Sequence, residues 1–103
     1  MRAEELARAR FAEPLGLSPI SNAVGVHPVR LARQFRKHYH STLGEYLRQL
    51  RIEYVTRELA TSDTPLSELA TSTGFSDQSH LTRTFKRHTG MSPSKYRAVL
   101  RAH

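Results

Sequence analysis

The side chains able to do chemistry in this sequence are cations and amides, and they are laid out twice. Leu31-Ala32-Arg33-Gln34-Phe35 and Leu81-Thr82-Arg83-Thr84-Phe85 both read Leu-x-Arg-x-Phe, fifty positions apart. Each is followed by two cations and a histidine, Arg36-Lys37-His38 and Lys86-Arg87-His88. On a helix advancing about 100° per residue, Phe85 and His88 fall close to Leu81 on the inward side. Ser79, Lys86, Arg83, Arg87 and His80 fall between about 140° and 260° from Leu81, on the outward side. The first copy repeats the pattern, with Leu31, Phe35 and His38 inward and Val29, Arg30, Arg33, Arg36 and Lys37 outward. An arginine such as Arg33 or Arg83 can donate two hydrogen bonds to guanine, Gln78 can pair with the edge of adenine, and Val29 can meet a thymine methyl. Arg36, Lys37, Lys86 and Arg87 stand nearer the C-terminal ends and suit phosphate better than bases. Capping amides around Thr42 and Ser76 offer further phosphate contacts.

Helices must position these groups. Pro28 to Tyr39 reads as one helix, and Ser76 or Asp77 caps the start of the other. Before the second lies Leu66-Ser67-Glu68-Leu69-Ala70, then Gly74 and Phe75. Gly74 can take the left-handed conformation that closes a helix, Leu69 and Ala70 face inward, and Phe75 tucks into the core. A short helix, a glycine turn and a second helix make a helix-turn-helix. Upstream in the first copy, Ser18 or Gly16 opens a short helix through Val24, which Gly25 ends. A unit of roughly 45 residues therefore occurs twice, each too small to hold a sufficient core easily alone.

A shared helix is the expected solution. Thr42-Leu43-Gly44-Glu45 has the form of a capping box. Leu47, Leu50, Tyr54, Val55 and Leu59 then recur at helical spacing, so a linker helix over residues 43–60 is predicted. Thr64 is the expected cap of the next helix, with Pro65 in its first turn. Arg2 to Glu13 reads as an opening helix around Leu6, Ala9 and Phe11, and Ser92-Pro93 starts a last one reaching about Leu100. No alternating strand pattern occurs. The expected fold is all-α, about seven helices, with subdomains at about 1–42 and 64–103 joined by the linker helix.

Composition agrees with a nucleic-acid partner. The 103 residues carry 16 Lys plus Arg against 9 Asp plus Glu, a formal net charge of +7. Cationic side chains gain affinity for polyanions by releasing condensed counterions. Cysteine is absent, which removes disulfides, thiolate zinc sites and a cysteine nucleophile. No stretch approaches the roughly 18 apolar residues of a membrane span, and a cytoplasmic location is expected.

Other chemistry is weaker. The six histidines invite a metal, yet His38 and His40 are two apart and point away from each other on a helix. His38 and His88 are expected to lean inward and pack. Ser76, Asp77 and His80 share one short amphipathic segment with no strand-turn-helix elbow, so no hydrolase triad is read. Neither a cofactor nor catalysis is implied. A non-specific nucleic-acid coat would explain the charge but not the paired outward donors, and no aromatic platform for RNA bases is visible.

The run Gly74-Phe-Ser-Asp-Gln-Ser-His-Leu-Thr-Arg-Thr-Phe-Lys-Arg-His-Thr-Gly-Met-Ser-Pro-Ser-Lys-Tyr96 resembles the signature of the AraC/XylS family of bacterial transcription regulators. The resemblance extends from about Ala12 to Arg97. It implies two helix-turn-helix subdomains joined by a long helix, bound to adjacent major grooves of double-stranded DNA. By position it implies base readers at Gln78, Ser79, Thr82 and Arg83 in the second unit, and at Val29, Arg30 and Arg33 in the first. Transcription activation, contact with RNA polymerase and a separate N-terminal effector or dimerisation domain are further implications. AraC-type domains also occur beside a cysteine-based methyl acceptor in DNA-alkylation response, a chemistry this cysteine-free chain cannot itself perform. The first unit departs from the family pattern at Gly16, Ser21-Asn22 and His27, where caps and helix formers are usual, so a looser first unit is expected.

Overall fold

A computed structural model describes residues 2–102, among which seven helices and no strand occur. The helices are α1 (Arg2–Arg10), α2 (Leu17–Val24), α3 (Pro28–Tyr39), α4 (Leu43–Thr61), α5 (Leu66–Ser72), α6 (Gln78–Thr89) and α7 (Pro93–Arg101). Met1 and His103, the outer bounds of the expected subdomains, lie outside the described residues. The chain divides into two units, Met1–Leu50 and Arg51–His103, with the boundary inside α4.

Helix α4 begins with the anticipated capping box. The Glu45 amide donates to the Thr42 hydroxyl at 3.1 Å, and the Thr42 amide donates to a Glu45 carboxylate oxygen at 3.3 Å. Its apolar residues serve two cores. Leu43, Leu47 and Leu50 join Ala3, Ala7, Ile20, Leu31 and Phe35 in the first unit. Ile52, Val55 and Leu59 join Leu69, Ala70, Phe75, Leu81 and Phe85 in the second. Each triplet falls within an arc of about 60° on the helix, but the arcs differ, so one stripe drawn along the whole helix misses Ile52. Tyr54, expected in that stripe, is half-buried and donates its hydroxyl to Glu58 at 3.0 Å.

The repeat is reproduced in packing. Phe35 meets Tyr46 edge-on with ring centroids 5.3 Å apart, and fifty positions later Phe85 meets Tyr96 at 5.4 Å. Such edge-to-face pairs add about 0.5–1.5 kcal/mol beyond area burial. Both short helices α2 and α5 end in the same turn. Gly25 and Gly74 have φ of 71° and 87°, and the amides of Val26 and Phe75 reach back to the carbonyls of Ser21 and Ala70. This six-to-one bond satisfies carbonyls that the helix end leaves open and aims the chain into the next helix.

Several expected boundaries shift. Helix α1 stops at Arg10, not Glu13, because the chain folds into a turn there: the Glu13 amide donates to the Arg10 carbonyl at 3.1 Å. Arg10 also holds the Glu13 carboxylate with two hydrogen bonds of 2.7 Å, and Phe11 swings onto the first core. In α1 the fully buried positions are Ala3 and Ala7, whereas Ala9 is exposed. Helix α5 is capped by the backbone of Pro65 with no side-chain bond, not by Thr64. The Thr64 hydroxyl is occupied by Ser62 at 3.1 Å, so it is not the cap.

Two exposed-looking cations are spent on structure. Arg97 donates to the carbonyls of Thr64 at 2.8 Å, Ser62 at 3.1 Å and Leu59 at 3.5 Å. Arg101 donates to the Ser62 carbonyl at 2.6 Å and pairs with Asp63. Together they pin the loop between α4 and α5 onto α7, satisfying carbonyls that a helix C-terminus leaves open.

At the other end of the chain, Glu4 accepts from Arg8 at 2.5 Å, the Tyr39 hydroxyl at 3.2 Å and the Tyr46 hydroxyl at 3.3 Å. The Arg8 bond, assisted by both tyrosines and opposed by desolvation, holds the Glu4 carboxyl below its ordinary value of 4.5. A carboxyl whose pKa is lowered by folding contributes stability above its unfolded pKa and loses it as pH falls through the folded one. Glu4→Gln is therefore expected to lower the urea midpoint at neutral pH. The gap to the parent should close as the pH drops below the ordinary carboxylate range. Far-UV circular dichroism at several pH values measures this, and a gap that stays constant with pH would refute it.

Candidate nucleic-acid interface

Helices α3 and α6 are built alike, each with a cap, a buried Leu and Phe, and a basic last turn. At the start of α6 the Asp77 carboxylate accepts from the His80 amide at 2.7 Å, which settles the cap on Asp77 and not Ser76. The corresponding cap of α3 is His27, whose Nδ1 accepts from the Val29 amide at 3.2 Å, with Pro28 in the first turn. The first unit thus keeps a side-chain cap on α3, made by an imidazole at the position where the departure from the family pattern implied a lost cap. Gly16 at the start of α2 makes no such bond. Ser21, expected to weaken α2, is buried and donates its hydroxyl to the Ser18 carbonyl at 3.0 Å. His27→Ala is expected to cost about 0.5–2 kcal/mol, and His27→Ser to recover most of it, by chemical denaturation. Equal stability of all three proteins would show that the Nδ1 contact contributes nothing.

The outward surface of α3 carries Val29, 59% exposed, with Arg30, Arg33, Arg36 and Lys37 all exposed. On α6, Gln78, Ser79, Arg83, Lys86 and Arg87 are exposed and Thr82 is half-buried. Gln78, Ser79, Thr82 and Arg83 line one surface depression, so the four residues drawn from the resemblance converge in space. None of these four, nor Val29, Arg30, Arg33 or Lys37, makes a side-chain hydrogen bond within the described residues, and their polar groups face solvent. Lys86 and Arg87, with Arg36 and Lys37 in the first unit, occupy the last helical turns. A positive charge there complements the negative end of the helix dipole.

Thr42 and Ser76 sit at helix starts with their own amides engaged. The Ser76 amide donates to His80 Nδ1 at 3.3 Å, matching the Thr42 amide that donates to Glu45. Hydrogen bonds from Thr42 hold the Glu45 carboxyl below its ordinary range, with Arg36 and Arg48 adding attraction.

Two histidines differ from expectation. His38 and His88 are exposed, although the helical wheel puts them on the inward side. Both stand in the last turn of their helices, and in α3 it is the next residue, Tyr39, that packs on the core against Phe35. The His88 Nδ1 instead contacts the Thr84 carbonyl one turn back at 2.9 Å. Thr84, not singled out from sequence, is the buried polar residue of α6. No group of three or more His, Cys, Asp or Glu placed to hold a metal occurs among the described residues, and no described helix is long and apolar enough to cross a membrane.

Comparison with known proteins places this geometry. Residues 20–98 match the model of a helix-turn-helix domain family. The regulatory protein SoxS of Salmonella typhimurium is 35% identical over 85 residues, covering 82% of this chain and 79% of SoxS. The multiple antibiotic resistance protein MarA of Escherichia coli is 37% identical over 84 residues, covering 82% of this chain and 66% of MarA. The DNA-binding domain of the global transcriptional factor AdpA, solved in complex with a target DNA, superposes with a TM-score of 0.93 at 28% identity. That match covers 98% of this chain and 91% of the AdpA chain. Taken with the Gly74–Tyr96 run and the paired helix-turn-helix units, these matches establish that the chain belongs to the AraC/XylS family of transcription regulators, as its helix-turn-helix DNA-binding domain.

Proposed function

We propose that the protein reads a specific double-stranded DNA site with α6 and α3 in adjacent major grooves and thereby activates transcription in the cytoplasm. The observation that carries this reading is the convergence of Gln78, Ser79, Thr82 and Arg83 in one depression on α6 with free donors. The likeness to AdpA, a protein solved on its target DNA, supports it. In this reading Gln78, Ser79, Thr82 and Arg83, with Val29, Arg30 and Arg33, face base edges. Arg36, Lys37, Lys86 and Arg87, with the hydroxyls of Thr42 and Ser76 at the helix starts, bind phosphates. Contact with RNA polymerase, and an effector or dimerisation domain in the full-length protein, complete the regulatory scheme.

Selection of bound duplexes from random DNA supplies the site and tests sequence specificity directly. Two conserved blocks about one helical turn apart are expected. Inserting five base pairs between the blocks turns one block to the opposite face of the duplex and should abolish tight binding in a fluorescence-anisotropy titration. Unchanged affinity for the split site would show that a single helix reads DNA.

A further inference from the structure

We infer that the first unit holds a binding site for a small amphiphilic carboxylate, in a groove between α3 and the starts of α2 and α4. Leu17, Ala32, Leu43 and Gly44, with Arg33 and Arg36, line a cavity of about 440 Å³. That size lies within the range of small-molecule pockets. Its walls are mainly carbon, and small residues keep it open. At Gly16, also on the lining, an added Cβ would have nothing within 4 Å. The backbone there is extended, with φ of −149°, so no conformational demand accounts for the glycine. At the matching places of the second copy, fifty positions on, Thr82, Pro93 and Ser94 stand where Ala32, Leu43 and Gly44 do here.

Charge selects the ligand class. The cationic groups of the lining are the guanidiniums of Arg33 and Arg36, and neither donates a hydrogen bond to another described residue. The nearby carboxylate, Glu45, accepts from the Thr42 amide at 3.3 Å. An apolar body in the groove removes Leu17 and Ala32 from water, while its carboxylate satisfies guanidinium donors that the same body would otherwise strip of water. Arginine favours carboxylate for its matching fork of donors and also stacks on flat apolar groups. A neutral amide of the same shape keeps one carbonyl acceptor but lacks the charge and the second oxygen that match a guanidinium fork. The consequence for DNA rests on the function proposed above: with Arg33 and Arg36 engaged by the ligand, α3 loses a base reader and a phosphate contact, so ligand and DNA exclude each other.

The test uses 2-naphthoate as probe and the full chain labelled with ¹⁵N, first without DNA. Saturable amide shifts confined to Leu17, Ala32, Leu43, Gly44 and their neighbours are expected. The neutral 2-naphthamide should bind at least about tenfold more weakly, the equivalent of one charged hydrogen bond of about 1.4 kcal/mol. Arg36→Gln should weaken naphthoate to a similar degree. Ala32→Leu, on an exposed helical position that leucine suits, should fill the groove and remove binding while the remaining spectrum keeps its dispersion. Shifts spread over both units, equal binding of acid and amide, or full binding by Ala32→Leu would each overturn the site. In the second step, naphthoate added to the selected duplex should raise the apparent Kd of the parent chain linearly with free naphthoate, doubling it at the concentration that half-fills the site. Shifts at the groove without that competition would uphold the site and refute the DNA roles of Arg33 and Arg36.

Discussion

Phe85→Ala is expected to destabilise the second unit by about 3–5 kcal/mol, the largest effect of any single substitution considered. Phe85 is fully buried in the core of Ile52, Val55, Leu59, Leu69, Ala70, Phe75 and Leu81. Its ring also meets Tyr96 on α7 edge-on at 5.4 Å. Truncation leaves a cavity that α4, α5 and α7 would all have to close, and the transfer and cavity penalties add. A domain of this size has a total stability of about 5–15 kcal/mol, so the loss consumes much of what the second unit has. Phe85→Leu, which retains most of the volume, should cost under about 1.5 kcal/mol. Hydrogen exchange reads the effect by helix: protection in α5, α6 and α7 should fall by orders of magnitude, while α1 to α3, built on a separate core, keep theirs. A loss below about 1 kcal/mol would mean that the neighbours repack freely, contrary to close packing in this core.

The second large effect concerns recognition. Arg83→Ala is expected to cost about 1–3 kcal/mol on the selected site and to relax preference at one base pair. Its guanidinium is exposed, makes no ion pair among the described residues, and shares its depression with Gln78, Ser79 and Thr82. Lys86→Ala, one turn nearer the helix end, should weaken every sequence alike and reduce the slope of log affinity against log salt by about one. The two variants therefore separate reading from holding. Affinity of the parent and both variants for specific and random duplexes, each measured at several salt concentrations, tests both expectations. If Arg83→Ala weakens random DNA as much as the selected site, Arg83 is a phosphate contact and the assignment fails.

Much of the interface was open to view in the chain because its signals are local. Residues 28–39 and the Thr42–Glu45 box were bounded correctly, since proline, cap chemistry and helical spacing act within a few residues. The outward direction of Arg33, Arg83 and the other cations follows from the same spacing once Leu31, Phe35, Leu81 and Phe85 are fixed as the inward set. Where the structure departs from the local pattern, the deciding partner is either absent from that pattern or unusual for its role. His27 caps α3 through a ring nitrogen, a donor-acceptor geometry that composition does not advertise. His38 and His88 share the wheel position of buried residues but are exposed in the last turns of their helices, and position along a helix is invisible to a wheel.

The linker shows the division most clearly. Periodicity and the capping box specify a helix over residues 43–60, because backbone hydrogen bonds and caps need only near neighbours, and the structure carries it one residue further to Thr61. Which core each apolar residue enters was settled in three dimensions, where Leu50 and Ile52, two positions apart, belong to different clusters. Likewise the count of cations sets the net charge of +7. It does not separate Arg83, which is exposed and makes no side-chain hydrogen bond among the described residues, from Arg97, whose donors go to the carbonyls of Leu59, Ser62 and Thr64. Hydrogen bonds spanning more than thirty residues depend on where folding brings the chain, and no short-range pattern carries that information.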